Sequence, residues 1–191
     1  MLMLLQSFVQ RRILSTTHLP LFHNACNSSR HHLSTTSTKT TAKTNAETLL
    51  IDGDFKGRKY TSLSTFPVRW IDIDIMGHVN NARFFTYFEQ IRCENFDAVG
   101  LNIGGSLPEG PILAKTSCSY RGPLLFPDTV TVGALSEQTS ENTWQQHYAI
   151  VGHASGRVVA EGIAELVWFD YKNGVRKSFS ADAKRRLFGL S

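Results

Sequence analysis

One stretch constrains the fold more than any other: residues 82–99, ARFFTYFEQIRCENFDAV, the one long helical signal in a chain of 191 residues. Phe84, Phe88 and Ile91 follow the 3.6-residue spacing of a helix, and Phe85, Tyr87 and Phe96 extend apolar surface around much of its circumference. A helix of that kind has to be buried, so the rest of the domain must surround it. Asn80 or Asn81 is placed to cap its start and Gly100 to end it.

The surrounding segments read as strands. Thr65 to Ile71, TFPVRWI, sets Phe66, Val68 and Trp70 on one face at the period of a half-buried strand. Four further strands are predicted after the helix, at Ile112 to Tyr120, Thr129 to Gln138, Trp144 to Val151 and Arg157 to Phe169. Turn residues separate them at Gly122-Pro123 and Pro127-Asp128, at Ser140-Glu141-Asn142 and from Gly152 to Gly156. In the last strand Val158, Ala160, Gly162, Ala164, Leu166 and Trp168 share a face, with small residues where a bulky group can press close. One strand, one long helix and four antiparallel strands make an α+β domain over residues 61–180, its sheet wrapped around the helix. Residues 47–60 read as a linker, and 181–191 as a tail or a short basic helix capped by Ser180. No internal repeat and no second domain are discernible.

The net charge of +4 would suggest nucleic acid as a partner if it lay on the folded domain, but its distribution excludes that. No acidic residue precedes Glu47, and the 46 residues before it carry Arg11, Arg12, Arg30, Lys39 and Lys43, a charge of +5. The remainder sets 15 basic residues against 16 acidic ones and is nearly neutral. The leading segment holds 14 Ser/Thr, and Leu2, Leu5, Val9 and Ile13 recur at helical spacing around Arg11 and Arg12. An amphipathic, Arg- and Ser-rich, acid-free start is the pattern of an organelle transit peptide. A secretory signal would place its positive charges before the apolar stretch, and a low-complexity extension without function is the bland alternative. The early arginines and the strongly apolar leading helix favour the mitochondrion over the plastid. No apolar run reaches the ~18 residues of a membrane span. Cys26, Cys93 and Cys118 form no CxxC or CxxH spacing and no disulfide framework, so no metal site is expected.

The chain contains no GxSxG elbow, GxxxxGK[ST] loop or GxGxxG turn. Its one dense polar cluster runs from Arg69 to Asn81, RWIDIDIMGHVNN, with two carboxylates, an imidazole and two amides at the entry to the apolar helix. A helix N-terminus offers unpaired N–H groups and partial positive charge, suited to a carbonyl oxygen or a developing oxyanion. A carboxylate nearby can attack that carbonyl or deprotonate a water that does. The structural alternative is that Asp72 or Asp74 forms an Asx turn, His78 belongs to the loop and the asparagines only cap the helix.

The run Asp72-Ile-Asp74-Ile-Met-Gly77-His78-Val-Asn80-Asn81, continued by Tyr87, Glu89 and Arg92, resembles the signature of the 4-hydroxybenzoyl-CoA thioesterase family of hotdog-fold acyl-CoA thioesterases. Tyr120-Arg-Gly-Pro123 and Phe126-Pro-Asp128 resemble the family's segment between its second and third strands, and the likeness covers roughly residues 63–175. The resemblance implies a hotdog fold and cleavage of an acyl-CoA, or alternatively an acyl-carrier protein thioester, without metal or redox cofactor. Aligned on Gly77, the family's nucleophile or general base falls on Asp74, and the N–H that polarises the thioester carbonyl on Asn81 or its neighbour Asn80. Such a donor contributes ~3 kcal/mol and a general base ~10²- to 10⁴-fold.

Other residues have lesser parts in that reading. His78 shapes the loop or touches substrate, and Glu89 rivals Asp74 because other hotdog enzymes place a catalytic Glu on this helix, an ion pair with Arg92 at i+3 being the structural alternative. Phe84 lines the acyl tunnel or the core, and Arg121, with Lys172 and Arg176, is placed to meet coenzyme A phosphates. The family's edge-to-edge dimers imply a homodimer or homotetramer. Two competing expectations are an enoyl-thioester hydratase or dehydratase using His78 and Glu89, and a non-catalytic hotdog subunit that binds acyl groups or builds an assembly.

Overall fold

The computed structural model describes residues 44–52, 55–101 and 107–189. The expected leader, residues 1–46, lies almost wholly outside that range.

Its elements in chain order are a helix α1 (Asn45–Ile51), strand β1 (Ser62–Pro67), a single 3₁₀ turn (Trp70–Asp72) and helix α2 (Asn81–Ala98). Strands β2 (Glu109–Tyr120), β3 (Thr129–Gln138), β4 (Thr143–Gly152), β5 (Arg157–Asp170) and β6 (Val175–Arg176) follow, then helix α3 (Ala181–Phe188). The strands form one antiparallel sheet in the order β1-β3-β4-β5-β2, with β6 folded back on β5. Because α2 intervenes between β1 and β2, the chain crosses the sheet and β2 lands on the edge opposite β1.

The helix is central, as its sequence requires. Phe84, Tyr87, Phe88, Ile91, Arg92 and Phe96 are its buried residues, spaced along one stripe. They pack with Val130, Val132 and Ala134 of β3, Trp144, Tyr148 and Ile150 of β4, and Ala160, Ala164 and Leu166 of β5. Phe88 stacks on Tyr148 at 4.7 Å between ring centroids with the rings 15° from parallel, a contact that adds ~1 kcal/mol to the area buried. The small residues of β5 serve this approach: a Cβ built on Gly162 would lie 2.4 Å from Cε2 of Phe88.

The sheet's other face carries a second cluster, in which Ala46 and Leu50 of α1 meet Tyr60, Ala149 and Val151. The span 47–60 is therefore more than a linker. Its helix opens with a capping box, Glu47 N–H donating to Thr44 Oγ1 and Thr44 N–H to Glu47 Oε2, and the buried Leu50 holds it to the sheet. At the other end Ser180 caps α3 as expected, its Oγ accepting from Ala183 N–H, and Ala183 is buried in the main core.

Two strand readings need correction. The first strand stops at Pro67, and Trp70, expected on the inward face, is 77% exposed on the 3₁₀ turn. Proline has no N–H to continue the ladder, and Val68 N–H instead reaches Asp128 O (2.9 Å). In β5, Val158 lies with the second cluster rather than with Ala160: Ile150 pairs with Ala160 but Val151 with Val158, leaving Val159 as an extra residue. One inserted residue inverts the alternation, so Val159 takes the inward place.

Candidate functional site

The polar cluster folds into a tight hairpin before α2. Ile73 bridges Val79, Asn80 N–H donates to Asp72 O (2.8 Å), and Asp74 N–H donates to His78 O (2.9 Å), so 72 faces 80, 73 faces 79 and 74 faces 78. At its tip Gly77 N–H closes a turn on Asp74 O (3.0 Å), with Gly77 at φ +79°, a left-handed conformation that glycine adopts without strain. Val79 is buried in the core and also donates to Leu124 O (2.8 Å). The hairpin is thus tied to the connection between β2 and β3, the second segment singled out in the sequence.

Asp74 is half-buried. Its Oδ1 accepts the Met76 N–H (2.8 Å), an Asx turn, and its Oδ2 takes no hydrogen bond among the described residues. Asn80 is the cap of α2, its Oδ1 accepting from Ala82 N–H (2.9 Å) and its main-chain oxygen from Arg83 N–H (2.9 Å). Asn81 opens the helix, and its N–H has no partner among the described residues. Its carbonyl is steadied by the Tyr120 hydroxyl, which donates to it at 3.1 Å.

Asp72 is a different kind of carboxylate. It is fully buried, and its Oδ2 accepts from Tyr87 Oη (2.9 Å), Arg69 Nε (3.0 Å) and Arg69 N–H (3.2 Å). Its Oδ1 accepts from Arg69 Nη2 (2.9 Å) and lies 3.6 Å from Arg83 Nε. Burial by itself would raise its pKa, yet the hydrogen bonds from Arg69 and Tyr87 and the Arg69 charge hold it below the usual carboxylate range. For Tyr87, burial first and then the bond to Asp72 push the phenol well above its usual value.

The remaining expected site residues are dispersed. His78 is exposed on the hairpin, and Glu89, two turns along α2, is exposed and reaches Arg92 Nη2 at 3.5 Å, the i,i+3 pair. Arg92 is itself buried and donates to Tyr148 Oη (3.3 Å). Phe84 is buried in the core with its ring edge-on to Tyr120 at 5.2 Å. Arg121 pairs with Glu161 (2.6 Å), which Lys56 also reaches (2.6 Å). Lys172 and Arg176 are exposed at the β5–β6 end of the sheet. Arg69 lies in the polar cluster and Tyr87 and Tyr120 in the segments that resemble the family, but none of them, nor Arg83, was assigned a role from the sequence. The one local signal for them was the opposite charge of Arg69 and Asp72 three residues apart. Among the described residues no group of three or more His, Cys, Asp or Glu side chains is arranged to hold a metal ion, and no helix is long and apolar enough to cross a membrane.

Residues 68–187 match the family model of the thioesterase-like superfamily. The chain belongs to that superfamily. The hotdog fold expected of it is the fold observed, and thioester hydrolysis is its activity at the level of the family. The chain is 24% identical over 123 residues to the long-chain acyl-CoA thioesterase FadM of Escherichia coli (strain K12), a match over 63% of this chain and 92% of FadM. A thioesterase from Thermus thermophilus, solved with coenzyme A and zinc, superimposes with a TM-score of 0.59 at 25% identity, over 68% of this chain and 94% of that one. The 1,4-dihydroxy-2-naphthoyl-CoA thioesterase of Synechocystis gives a TM-score of 0.62 at 17% identity, over 68% and 96%, a likeness of fold alone.

Proposed function

We propose that this thioesterase hydrolyses acyl-CoA to the free acid and coenzyme A, with Asp74 as general base or nucleophile and the Asn81 N–H polarising the thioester carbonyl. The observation that carries the reading is the hairpin register. It pairs Asp72 with Asn80 at the start of α2 and carries Asp74 on the same strand two residues further along, opposite His78, while the Asn81 N–H has no partner among the described residues. In the general-base form, Asp74 Oδ2 takes a proton from water as the water oxygen bonds to the carbonyl carbon. The Asn81 N–H and the positive end of α2 stabilise the oxyanion that develops. Collapse of that intermediate breaks the C–S bond, and the thiolate leaves with the proton that Asp74 returns. The likeness to the acyl-CoA thioesterase FadM and to a thioesterase solved with coenzyme A supports coenzyme A as the carrier.

The test is steady-state hydrolysis of a panel of acyl-CoAs by the full chain and by Asp74→Asn, which keeps the side-chain size and the bond from Met76. We expect kcat to fall ~10²- to 10⁴-fold, the usual contribution of a general base. Full activity in the variant would overturn the role given to Asp74. Glu89 is the weaker candidate because Arg92 already engages it.

The reading extends to a homodimer built through β2. This strand occupies a sheet edge, and its residues 112–117 are exposed, Ile112 and Leu113 among them. The loop that carries Asp74 likewise presents Trp70, Ile71, Ile75 and Met76 to solvent, a patch that a second copy of the chain would cover. Residues 1–46 we read as a mitochondrial targeting leader, on the charge and spacing described above.

A further inference from the structure

We propose that Asp72 is the positioning residue of this site: its buried carboxylate sets the height of the Asp74 hairpin over the start of α2. The inference rests on the reading of Asp74 just given, and it assigns the two neighbouring aspartates separate tasks.

Three connections meet at Asp72. Its carboxylate takes three hydrogen bonds from Arg69, which close the 3₁₀ turn that leads into the hairpin. It also takes the Tyr87 hydroxyl, from the second turn of α2, and has Arg83 Nε 3.6 Å away on the first turn. Finally its main-chain oxygen accepts the N–H of Asn80, the residue that caps α2 and precedes the proposed oxyanion donor. One residue thereby links the base of the hairpin, the helix side and the cap. Rotation of the hairpin about its base would move Asp74 relative to the Asn81 N–H, and a displacement of ~1 Å at reacting groups can cost ~10²-fold in rate. The opposing reading makes Asp72 the catalytic carboxylate. Its carboxylate already accepts four hydrogen bonds, lies 3.6 Å from Arg83 Nε and is fully shielded from solvent, so it is not exposed to water or a thioester as a base must be.

Tyr87 makes the idea testable without emptying the core. Its ring packs edge-on to Phe66 at 5.2 Å and beside Phe84 at 6.2 Å, contacts that phenylalanine would keep. Acyl-CoA hydrolysis would be followed for the full chain and for Tyr87→Phe, Asp72→Asn and Asp74→Asn, each with its Tm and its pH profile of kcat/KM. For Asp72→Asn we expect kcat to fall ~10- to 100-fold, in line with other supporting residues of active sites, while KM changes by less than ~3-fold. For Tyr87→Phe the fall is ~3- to 10-fold with Tm nearly unchanged, because one of the supporting donors is lost. The shape of the pH profile stays that of the wild type in both, since the base is untouched.

Wild-type kcat in Tyr87→Phe and in a folded Asp72→Asn, whatever their Tm, would make Asp72 a purely structural residue. If Asp72→Asn does not fold, wild-type kcat in Tyr87→Phe suffices to overturn the proposal. Loss of the pH dependence in Asp72→Asn would make Asp72 itself the base. Failure of the other reading looks different: Asp74→Asn would be fully active while both Asp72→Asn and Tyr87→Phe remain slow with the wild-type profile.

Discussion

Gly162 lies against the Phe88 ring, and its lack of a side chain is what lets Phe88 lie flat on Tyr148. Alanine there would set a methyl group 2.4 Å from the Phe88 ring, so one of the two must move in a core with no slack. We expect Gly162→Ala to cost ~1–3 kcal/mol in a denaturant melt, the usual penalty for overpacking. In the double variant with Phe88→Leu the two costs should not add, because the ring responsible for the clash is gone. Strict additivity would show that the close approach is incidental. Residue by residue, the sequence was partly legible. The run of small residues in β5 announced a bulky neighbour, but nothing local said that it was Phe88 or that Val158 would fall on the other face. The inserted residue at Val159 shows only when β4 and β5 are laid side by side. Asp72 and Asp74 make the same point more sharply, for they are chemically identical and two residues apart. One is buried under Arg69 and Tyr87 and the other is half-exposed on the hairpin.

The elements themselves were more readable, since each depends on a pattern within ten to twenty residues. The apolar helix, its Asn80 cap and its Gly100 stop are where the spacing puts them, and β3 has the predicted bounds. The first strand was overextended because Trp70 continued the alternation that Pro67 had ended. Helix α1 was missed because seven residues with two buried side chains give too short a period to register without the sheet they rest on. Strand β2, twelve residues long, keeps one edge unpaired among the described residues and its middle exposed, an arrangement that isolated sheets avoid. Sedimentation equilibrium should therefore give a species of at least twice the 21.3 kDa of the chain. The double variant Ile112→Lys, Leu113→Lys should shift it toward the monomer and lower kcat/KM with it. A wild-type species at the monomer mass would refute the dimer.

For the molecule as a whole, the charge of +4 divides into +5 on the first 46 residues and a nearly neutral remainder, so the basic character gives no reason to expect a nucleic-acid surface. If residues 1–46 are an address, they should carry a fluorescent reporter into mitochondria, and replacing Arg11 and Arg12 with glutamate should leave it in the cytosol. A reporter that stays cytosolic with the native leader, or enters plastids, would refute the reading. The order of the central helix and the five long strands, the burial of that helix and the crowding of polar groups at its entry were all determined by the sequence alone, because periodicity and turn chemistry are properties of neighbours along the chain. Which strand took which edge, which aspartate went under the helix and which partners Arg121 and Glu89 found were decided only by the tertiary structure. Those outcomes depend on residues brought together across the chain: Asp72 meets Tyr87 fifteen positions on, and Arg121 meets Glu161 forty positions on. A side chain's solvation and hydrogen bonds are set by whatever packs against it in space, and that is where two like residues acquire unlike tasks.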